Sequence, residues 1–196
     1  MKKLVSIISS LLLLCGVCGC ASETNADLSG TTQTFNTMTD YSGVQGYKNW
    51  YYLVAEDELS KAQYMVYDVD MCTWRTSDTN CLIEYHIVHP GQLQQVIRAW
   101  KAPGNGKAVF NSQLQRRPVS ITGGGADGCY AFVSIGDNEE DVLFEQAYSA
   151  RDIEIHDIDG ETQLKKGEMI YFVLNCSGNY TFDQTYWNIT VNFTFD

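Results

Sequence analysis

The sequence is poor in basic side chains. Its 196 residues include 13 Lys and Arg against 24 Asp and Glu, which gives a formal net charge of −11. Proteins that bind nucleic acid or anionic lipid use clustered Lys and Arg to neutralise phosphates. The shortage of basic residues therefore predicts no nucleic-acid partner and no general affinity for anionic membrane surfaces.

Familiar catalytic motifs are missing as well. The sequence contains no GxSxG, HExxH or SxxK, and no CxxC or His/Cys cluster of the kind that binds zinc. Gly123 to Gly128 formally matches GxGxxG. The residues after it favour another strand, so no helix N-terminus is available for a pyrophosphate, and we interpret the glycines as a hairpin turn. His86 and His89 are three positions apart, and on a strand such residues point to opposite faces rather than to one metal.

These absences predict a protein that is not an enzyme. A small hydrolase or lyase acting on glycans stays open as an alternative, because a glycosidase needs only two well-placed carboxylates and the chain has many.

The N-terminus carries an apolar stretch at residues 4–14, preceded by Lys2 and Lys3. It is shorter than the roughly 20 residues of a membrane-spanning helix, which favours a cleaved signal. Val17-Cys18-Gly19-Cys20 follows, and this sequence resembles the lipobox of bacterial lipoproteins. The resemblance implies a signal peptide at residues 1–19, lipidation of Cys20, and a lipid-anchored protein on the outer face of the cell membrane. Ordinary secretion without an anchor is the alternative.

Residues 20–40 are rich in Ser, Thr and Asn and show no apolar period. Such a composition is typical of a flexible tether. Residues 41–196 have a length that suits one domain with one core.

The domain is predicted to be all-β, an antiparallel β-sandwich or jelly roll. Short runs of Val, Ile, Tyr, Phe and Trp alternate with Gly, Asn, Asp and Pro, and no segment has a sustained helical period. Strands are predicted at residues 50–54, 63–69, 82–88, 95–101, 107–110, 119–122, 129–135, 142–148, 152–156, 169–174 and 187–195.

Alternation is clear in the last of these strands. Its odd-numbered positions from 189 to 195 are apolar, and its even-numbered positions from 188 to 194 are Asn or Thr, as in a strand with one buried face. At residues 129–135 both alternating sets are largely apolar, so the core-facing set stays undecided.

Four cysteines fall within residues 41–196, which allows three pairings. Cys72 and Cys81 flank the polar stretch TWRTSDTN, and a disulfide that closes this loop is the favoured prediction for an exported chain. A Cys129–Cys176 bridge is the second candidate. Buried free thiols are the alternative.

Six stretches in order carry a resemblance to a known family. They are residues 42–52 (SGVQGYKNWYY), His89-Pro90-Gly91, Trp100-Lys101-Ala102-Pro103, Asp127-Gly128-Cys129, residues 167–172 (GEMIYF) and residues 183–188 (DQTYWN). Their order and spacing resemble galactose-binding-like jelly-roll modules attached to secreted bacterial polysaccharide-degrading enzymes. The resemblance spans residues 41–196, apart from an insertion at residues 72–81. It implies a surface-anchored, non-catalytic carbohydrate-binding module; a protein-binding adhesion or assembly module is the alternative.

Aromatic side chains supply the candidate ligand-binding residues. Sugar rings stack their C–H faces on Trp and Tyr, while their hydroxyls bind amides and carboxylates. Trp74 lies in the polar stretch after Cys72, and Tyr130, Phe132, Tyr171 and Tyr186 lie on strands where they can face away from the core. The competing interpretation is that these aromatics fill the core.

No cofactor is expected, apart from a structural calcium ion. Asp137-Asn138-Glu139-Glu140-Asp141 offers several oxygen ligands of the type that calcium prefers. A solvated hairpin turn is the alternative interpretation of this acidic run.

Overall fold

A computed structural model describes residues 27–78, 80–118, 125–137 and 140–196. Two antiparallel sheets pack against each other as a β-sandwich, which confirms the predicted fold class. The predicted signal peptide, Cys20 and the strand predicted at residues 119–122 lie outside the described residues. Within the described part of the chain, no helix is long and apolar enough to cross a membrane.

In the described part of the chain, eight strands form the larger sheet. They are β1 (Thr32–Asn36), β4 (Val66–Asp68), β5 (Thr73–Arg75), β6 (Leu82–Ile83), β7 (Ile87–His89), β9 (Gly106–Arg116), β12 (His156–Leu164) and β14 (Thr185–Phe195). The order is β12-β9-β14-β7-β6-β5-β4, and β1 also pairs with β14.

The smaller sheet has six strands among the described residues. They are β2 (Trp50–Ala55), β3 (Gln63–Tyr64), β8 (Gln95–Lys101), β10 (Gly128–Ile135), β11 (Val142–Ser149) and β13 (Met169–Cys176). Their order in the sheet is β11-β10-β13-β8-β2-β3. Short 3-10 turns occupy Tyr47–Asn49 and Leu59–Lys61.

The core lies between the sheets. Its largest fully buried side chains include Trp50, Trp100 and Trp187. In β10 the undecided alternation is resolved, because Cys129, Ala131 and Val133 join this core and the intervening residues face outward. In β14 the apolar set faces inward, and the Asn and Thr set faces outward, as expected.

Part of the predicted tether is a strand. Residues 32–36 form β1, whose Phe35 pairs with Val191 of β14 and is only 5% exposed. The Phe35 ring packs against Trp100 at a centroid distance of 5.2 Å. A single large apolar residue among Thr, Gln and Asn was too weak a pattern to indicate a strand, yet that residue fills the core.

Two predicted strands are each divided in the structure. The chain predicted as one strand at residues 63–69 changes sheets at the buried Met65, so that β3 pairs with β2 whereas β4 pairs with β5. The strand predicted at residues 82–88 is a hairpin in which β6 and β7 pair with each other around residues 84–86.

The edge strand β12 was predicted too early, at residues 152–156 instead of His156–Leu164. Its sequence, HDIDGETQL, carries acids and a glycine that usually interrupt strands. Gly160 is required because the Phe110 ring of β9 packs over it; a Cβ there would lie 2.3 Å from Phe110 Cζ.

The predicted Cys72–Cys81 disulfide is wrong. All four cysteines of the described chain are free thiols. In the β5–β6 ladder Trp74 lies opposite Ile83, and Thr76 N donates to Cys81 O at 3.4 Å, which places Cys81 beside Thr76. Cys72 is four positions from Thr76, so the two cysteines are about 13 Å apart along the strand. A disulfide needs Cα atoms within about 7 Å.

Candidate functional site

Three of the five predicted ligand-binding aromatics share the outer face of the six-stranded sheet. Tyr130, Phe132 and Tyr171 belong to a second apolar cluster there, together with buried residues such as Ile97 and Val173. Phe132 is 7% exposed and Tyr171 is 9% exposed. This face is therefore mostly packed, and only part of its aromatic surface is open to a ligand.

Trp74 is not in an exposed loop. It lies in β5, is 3% exposed, and stacks on Tyr52 at a centroid distance of 4.9 Å. Its indole Nε1 donates to Ser42 O at 3.0 Å. The polar neighbours of Trp74 suggested a surface loop, but its partners are distant in sequence. The expectation that Trp74 contacts a ligand is not supported by this placement.

Tyr186 lies on the outer face of the other sheet, at the start of β14. Its ring stacks on that of His86, with centroids 5.4 Å apart and planes at 10°. Both side chains are half-buried. Tyr186 borders a polar surface of this sheet, where Gln113 and Asn188 line the same depression.

That surface is a double row of amides and carboxylates across three strands. Asp157 of β12, Gln113 of β9 and Asn188 of β14 are register partners and form one row. Asp159, Asn111 and Thr190 form the next row, two residues along each strand. We call this set the amide groove.

Hydrogen bonds hold the groove side chains in place. Gln113 Nε2 donates to Asp157 Oδ1, and Asn111 Nδ2 donates to Asp159 Oδ1, each at 3.0 Å. On the other side, Asn36 of β1 donates to Asn188 Oδ1 at 3.0 Å. Each amide side chain carries two donor hydrogens and an acceptor oxygen, so hydrogen-bonding capacity is left for a ligand.

Two adjacent depressions follow these rows. One, of about 220 Å³, is lined by the two rows themselves, and the other, of about 210 Å³, is lined by His86, Tyr186 and Met38 among others. They share Gln113 and Asn188, so the two depressions lie side by side. The groove thus offers polar groups along its floor and an aromatic pair at one end.

The imidazole at the aromatic end is neutral at physiological pH. Burial lowers the pKa of His86, which the nearby Glu84 carboxylate partly opposes. A neutral imidazole has one donor and one acceptor nitrogen, and it stacks on Tyr186 without a charge.

A buried arginine fixes the position of His86. Arg98 of β8 is 1% exposed; its Nη1 donates to Trp187 O at 2.5 Å, and its Nη2 donates to Glu84 O and to Ile87 O. These bonds tie the turn between β6 and β7 to β14, next to Tyr186. Burial lowers the pKa of Arg98 to about 10, so the guanidinium stays charged at neutral pH.

Two other depressions lack this combination of groups. One of about 250 Å³ lies between Val54 and Lys61, and one of about 490 Å³ lies around Asn105 and Lys165. Among the described residues that line them there is no aromatic side chain.

The described residues bring together no set of ligands for the predicted calcium ion. Within the described ranges, no three His, Cys, Asp or Glu side chains come close enough to hold a metal ion. Asn138 and Glu139 of the acidic run lie outside those ranges. A structural calcium ion therefore stays a prediction.

Sequence reasoning missed most of the groove. Asn111 and Gln113 were missed because the strand was predicted to stop at residue 110, whereas β9 continues to Arg116. Its alternation continues too, but two inward positions are polar. Ser112 there accepts a hydrogen bond from Trp187 Nε1 at 3.2 Å, and Arg116 pairs with the buried Asp183 at 3.0 Å. If Ser112 and Arg116 are accepted as inward-facing residues, the alternation predicts a strand that includes Asn111 and Gln113.

Comparison with known proteins identifies no family. No protein-family description matches the chain, and no curated protein is similar in sequence. Among solved structures, a family 35 carbohydrate-binding module from Clostridium thermocellum matches with 8% identity over 60% of this chain and 84% of that chain, at a TM-score of 0.33. A Podospora anserina GH26-CBM35 β-(1,4)-mannanase matches with 13% identity over 75% of this chain and 28% of its own, at 0.34. Pika GITRL matches with 14% identity over 71% and 94%, at 0.32. Scores this low identify neither a family nor an activity for the chain.

Proposed function

We propose that the protein is a non-catalytic module that binds an extracellular polysaccharide or other glycan through the amide groove. The observation that supports this proposal is the combination of two polar rows with the Tyr186–His86 ring pair at their end. Sugar hydroxyls suit amides and carboxylates that both donate and accept, and a sugar C–H face suits an open Tyr ring.

The arrangement of the groove carboxylates favours glycan binding over glycan hydrolysis. Asp157 and Asp159 stand two positions apart on β12, about 7 Å along one wall of the groove. Their partners are the neutral amides Gln113 and Asn111. A glycosidase places its acid and its second carboxylate on either side of the scissile bond. Two carboxylates on the same wall favour hydrogen bonding to a chain that lies along the groove.

The proposal includes anchoring through Cys20, on the lipobox sequence alone. Thr32 pairs with Thr194, whereas Tyr186 is eight positions away along β14, or about 27 Å. If Cys20 carries a lipid, the chain that follows it would therefore join the domain at the end of the sheet far from the aromatic pair. Replacement of Cys20 by Ala should release the protein from membranes or block removal of the leader. Unchanged membrane partitioning together with normal leader removal would contradict the anchor.

A glycan array probed with the purified chain tests the binding proposal. We expect retention of some glycans with a Kd of roughly micromolar to millimolar, because a shallow groove buries little area. Gln113→Ala should weaken retention by about tenfold, as expected for loss of one or two hydrogen bonds to a ligand. Gln146→Ala is the matched control, because it removes an exposed Gln from β11 on the other sheet.

Three outcomes would overturn the proposal. Retention of no glycan would favour a protein-binding module instead. If the Gln113 and Gln146 variants lost glycan retention equally, the binding site would not be the amide groove. Shortening of a bound polysaccharide by the pure protein would show a hydrolase or lyase.

A further inference from the structure

Cys129 and Cys176 lie directly opposite each other in the six-stranded sheet. Cys129 is the second residue of β10, Cys176 is the last residue of β13, and their Cα atoms are register partners. Ser177 N donates to Gly128 O at 3.2 Å, which makes the neighbouring pair a hydrogen-bonded one. Because the two kinds of pair alternate in an antiparallel ladder, Cys129 and Cys176 occupy a non-hydrogen-bonded position.

This position has the backbone spacing of a disulfide. Cα atoms of a non-hydrogen-bonded pair are about 4.5 Å apart, within the range of about 4.4–6.8 Å that disulfides span. Residues directly opposite in a ladder also project their side chains to the same face. The pair therefore has the spacing that Cys72 and Cys81 lack.

Neither thiol is held by a short hydrogen bond, although the Arg116 guanidinium lies beside Cys129. Cys129 Sγ is 3.9 Å from Thr185 Oγ1, and Cys176 Sγ donates to Gln92 O at 3.5 Å. Thiols are weak hydrogen-bond donors, so rotation of the two side chains costs little. Cys129 is fully buried, whereas Cys176 is only partly covered and can be reached from solvent.

We propose that Cys129 and Cys176 form a cross-strand disulfide when the folded protein meets a thiol–disulfide oxidant. The Cys176 thiolate attacks the disulfide of the oxidant, such as oxidised glutathione, and one glutathione thiolate leaves. Cys129 then loses its proton, its sulfur attacks the Cys176 sulfur of the mixed disulfide, and the second glutathione leaves. Two protein thiols have lost two protons and two electrons, and the oxidised glutathione has become two thiols.

Burial of Cys129 makes the second step the slow one. Burial raises the pKa of Cys129 to about 12 and also raises that of Cys176. Only the thiolate is nucleophilic, so attack begins at the more accessible Cys176. Closing the bond joins the ends of β10 and β13 across the chain from residue 129 to residue 176, which restricts the unfolded state.

Peptide mapping of the purified chain tests the inference. The protein is incubated with oxidised glutathione under native conditions, the remaining thiols are alkylated after unfolding, and the digest is analysed by mass spectrometry. We expect a cross-linked peptide that joins Cys129 to Cys176, lighter by two hydrogen atoms than its reduced parts, and a melting temperature higher by about 5–15 °C. Reduction with dithiothreitol should reverse both changes.

Two variants complete the experiment. In Cys72→Ser the cross-link should form as in the parent, because that exposed thiol has no role in it. In Cys176→Ser the cross-link and the rise in melting temperature should both be lost. A glutathione adduct at Cys176 that never resolves, while Cys129 stays open to alkylation after unfolding, would overturn the inference. A cross-link from either cysteine to another residue would overturn it as well.

Discussion

The two outer faces of the sandwich differ in how their side chains are used. On the six-stranded sheet, outward residues such as Phe132, Ile97 and Val173 are buried against one another and against Leu59. On the eight-stranded sheet, outward residues such as Asn111, Gln113 and Asp157 are exposed. Aromatic content alone would have placed the site on the first face. Open hydrogen-bonding groups beside an accessible ring favour the second.

The largest expected effect concerns β1, which lies within the tether that the composition of residues 20–40 predicts. Phe35→Ala should lower the free energy of unfolding by about 3–5 kcal/mol, because it empties a core position beside Trp100. Denaturant unfolding of the purified protein measures this loss. Leu28→Ala, at a residue that is 39% exposed, is the control and should change stability by less than about 0.5 kcal/mol. Equal, small effects would mean that residues 32–36 do not pack on the core and that Asn36 does not support Asn188 of the groove.

The second prediction separates packing from binding on the six-stranded face. Phe132→Ala should destabilise the protein by about 2–4 kcal/mol, since its ring is 7% exposed and packs beside Tyr130 at 5.7 Å. Below the melting temperature its retention on a glycan should equal that of the parent. Thermal unfolding and affinity electrophoresis give the two measurements. If Phe132→Ala kept the parent's stability but lost glycan retention, the outer face of the six-stranded sheet would be the binding site.

The sequence predicted the sandwich well because its long strands alternate strongly. In β14, large apolar residues face Phe110 and the other core residues, and Asn or Thr face solvent, so the period alone shows which face is buried. Strands at the sheet edges were harder to predict. β12 owes its place to the packing of Phe110 over Gly160 and to bonds from Asn111 and Gln113, which involve residues about 45 positions away.

The candidate site was predicted only through Tyr186. Its position on the outer face followed from alternation, but its neighbours come from β9, β12 and the β6–β7 turn. Arg98 was not predicted as a positioning residue, because a cation within an apolar strand gives no sign that it binds backbone carbonyls. Tertiary contacts of this kind have no local pattern.

The third prediction compares one aromatic residue from the outer face of each sheet. Tyr186→Ala should weaken glycan retention by about 2- to 13-fold, because stacking of one ring contributes about 0.5–1.5 kcal/mol. Tyr64→Ala removes a ring that is 62% exposed on β3, and it should leave retention unchanged. Both variants should keep the parent's melting temperature within about 2 °C. If the Tyr64 variant alone lost retention, the open edge of the six-stranded sheet would be the binding surface.

The smallest expected effect is on the pH dependence of stability, and it concerns β7 beside the groove. Burial lowers the pKa of His89, although the hydrogen bond to Pro90 O partly opposes the shift. An unfolded imidazole has a pKa of about 6.5, so below that pH the unfolded chain takes up a proton that folded His89 resists. The contribution of neutral His89 is therefore present above pH 6.5 or so and is lost as the pH falls below it. Urea unfolding of the parent and of His89→Gln between about pH 5 and pH 8 should show a shallower decline in the variant toward acid. The same decline in both proteins would mean that His89 titrates alike in the folded and unfolded states, and that β7 is open to solvent at this end of the sheet.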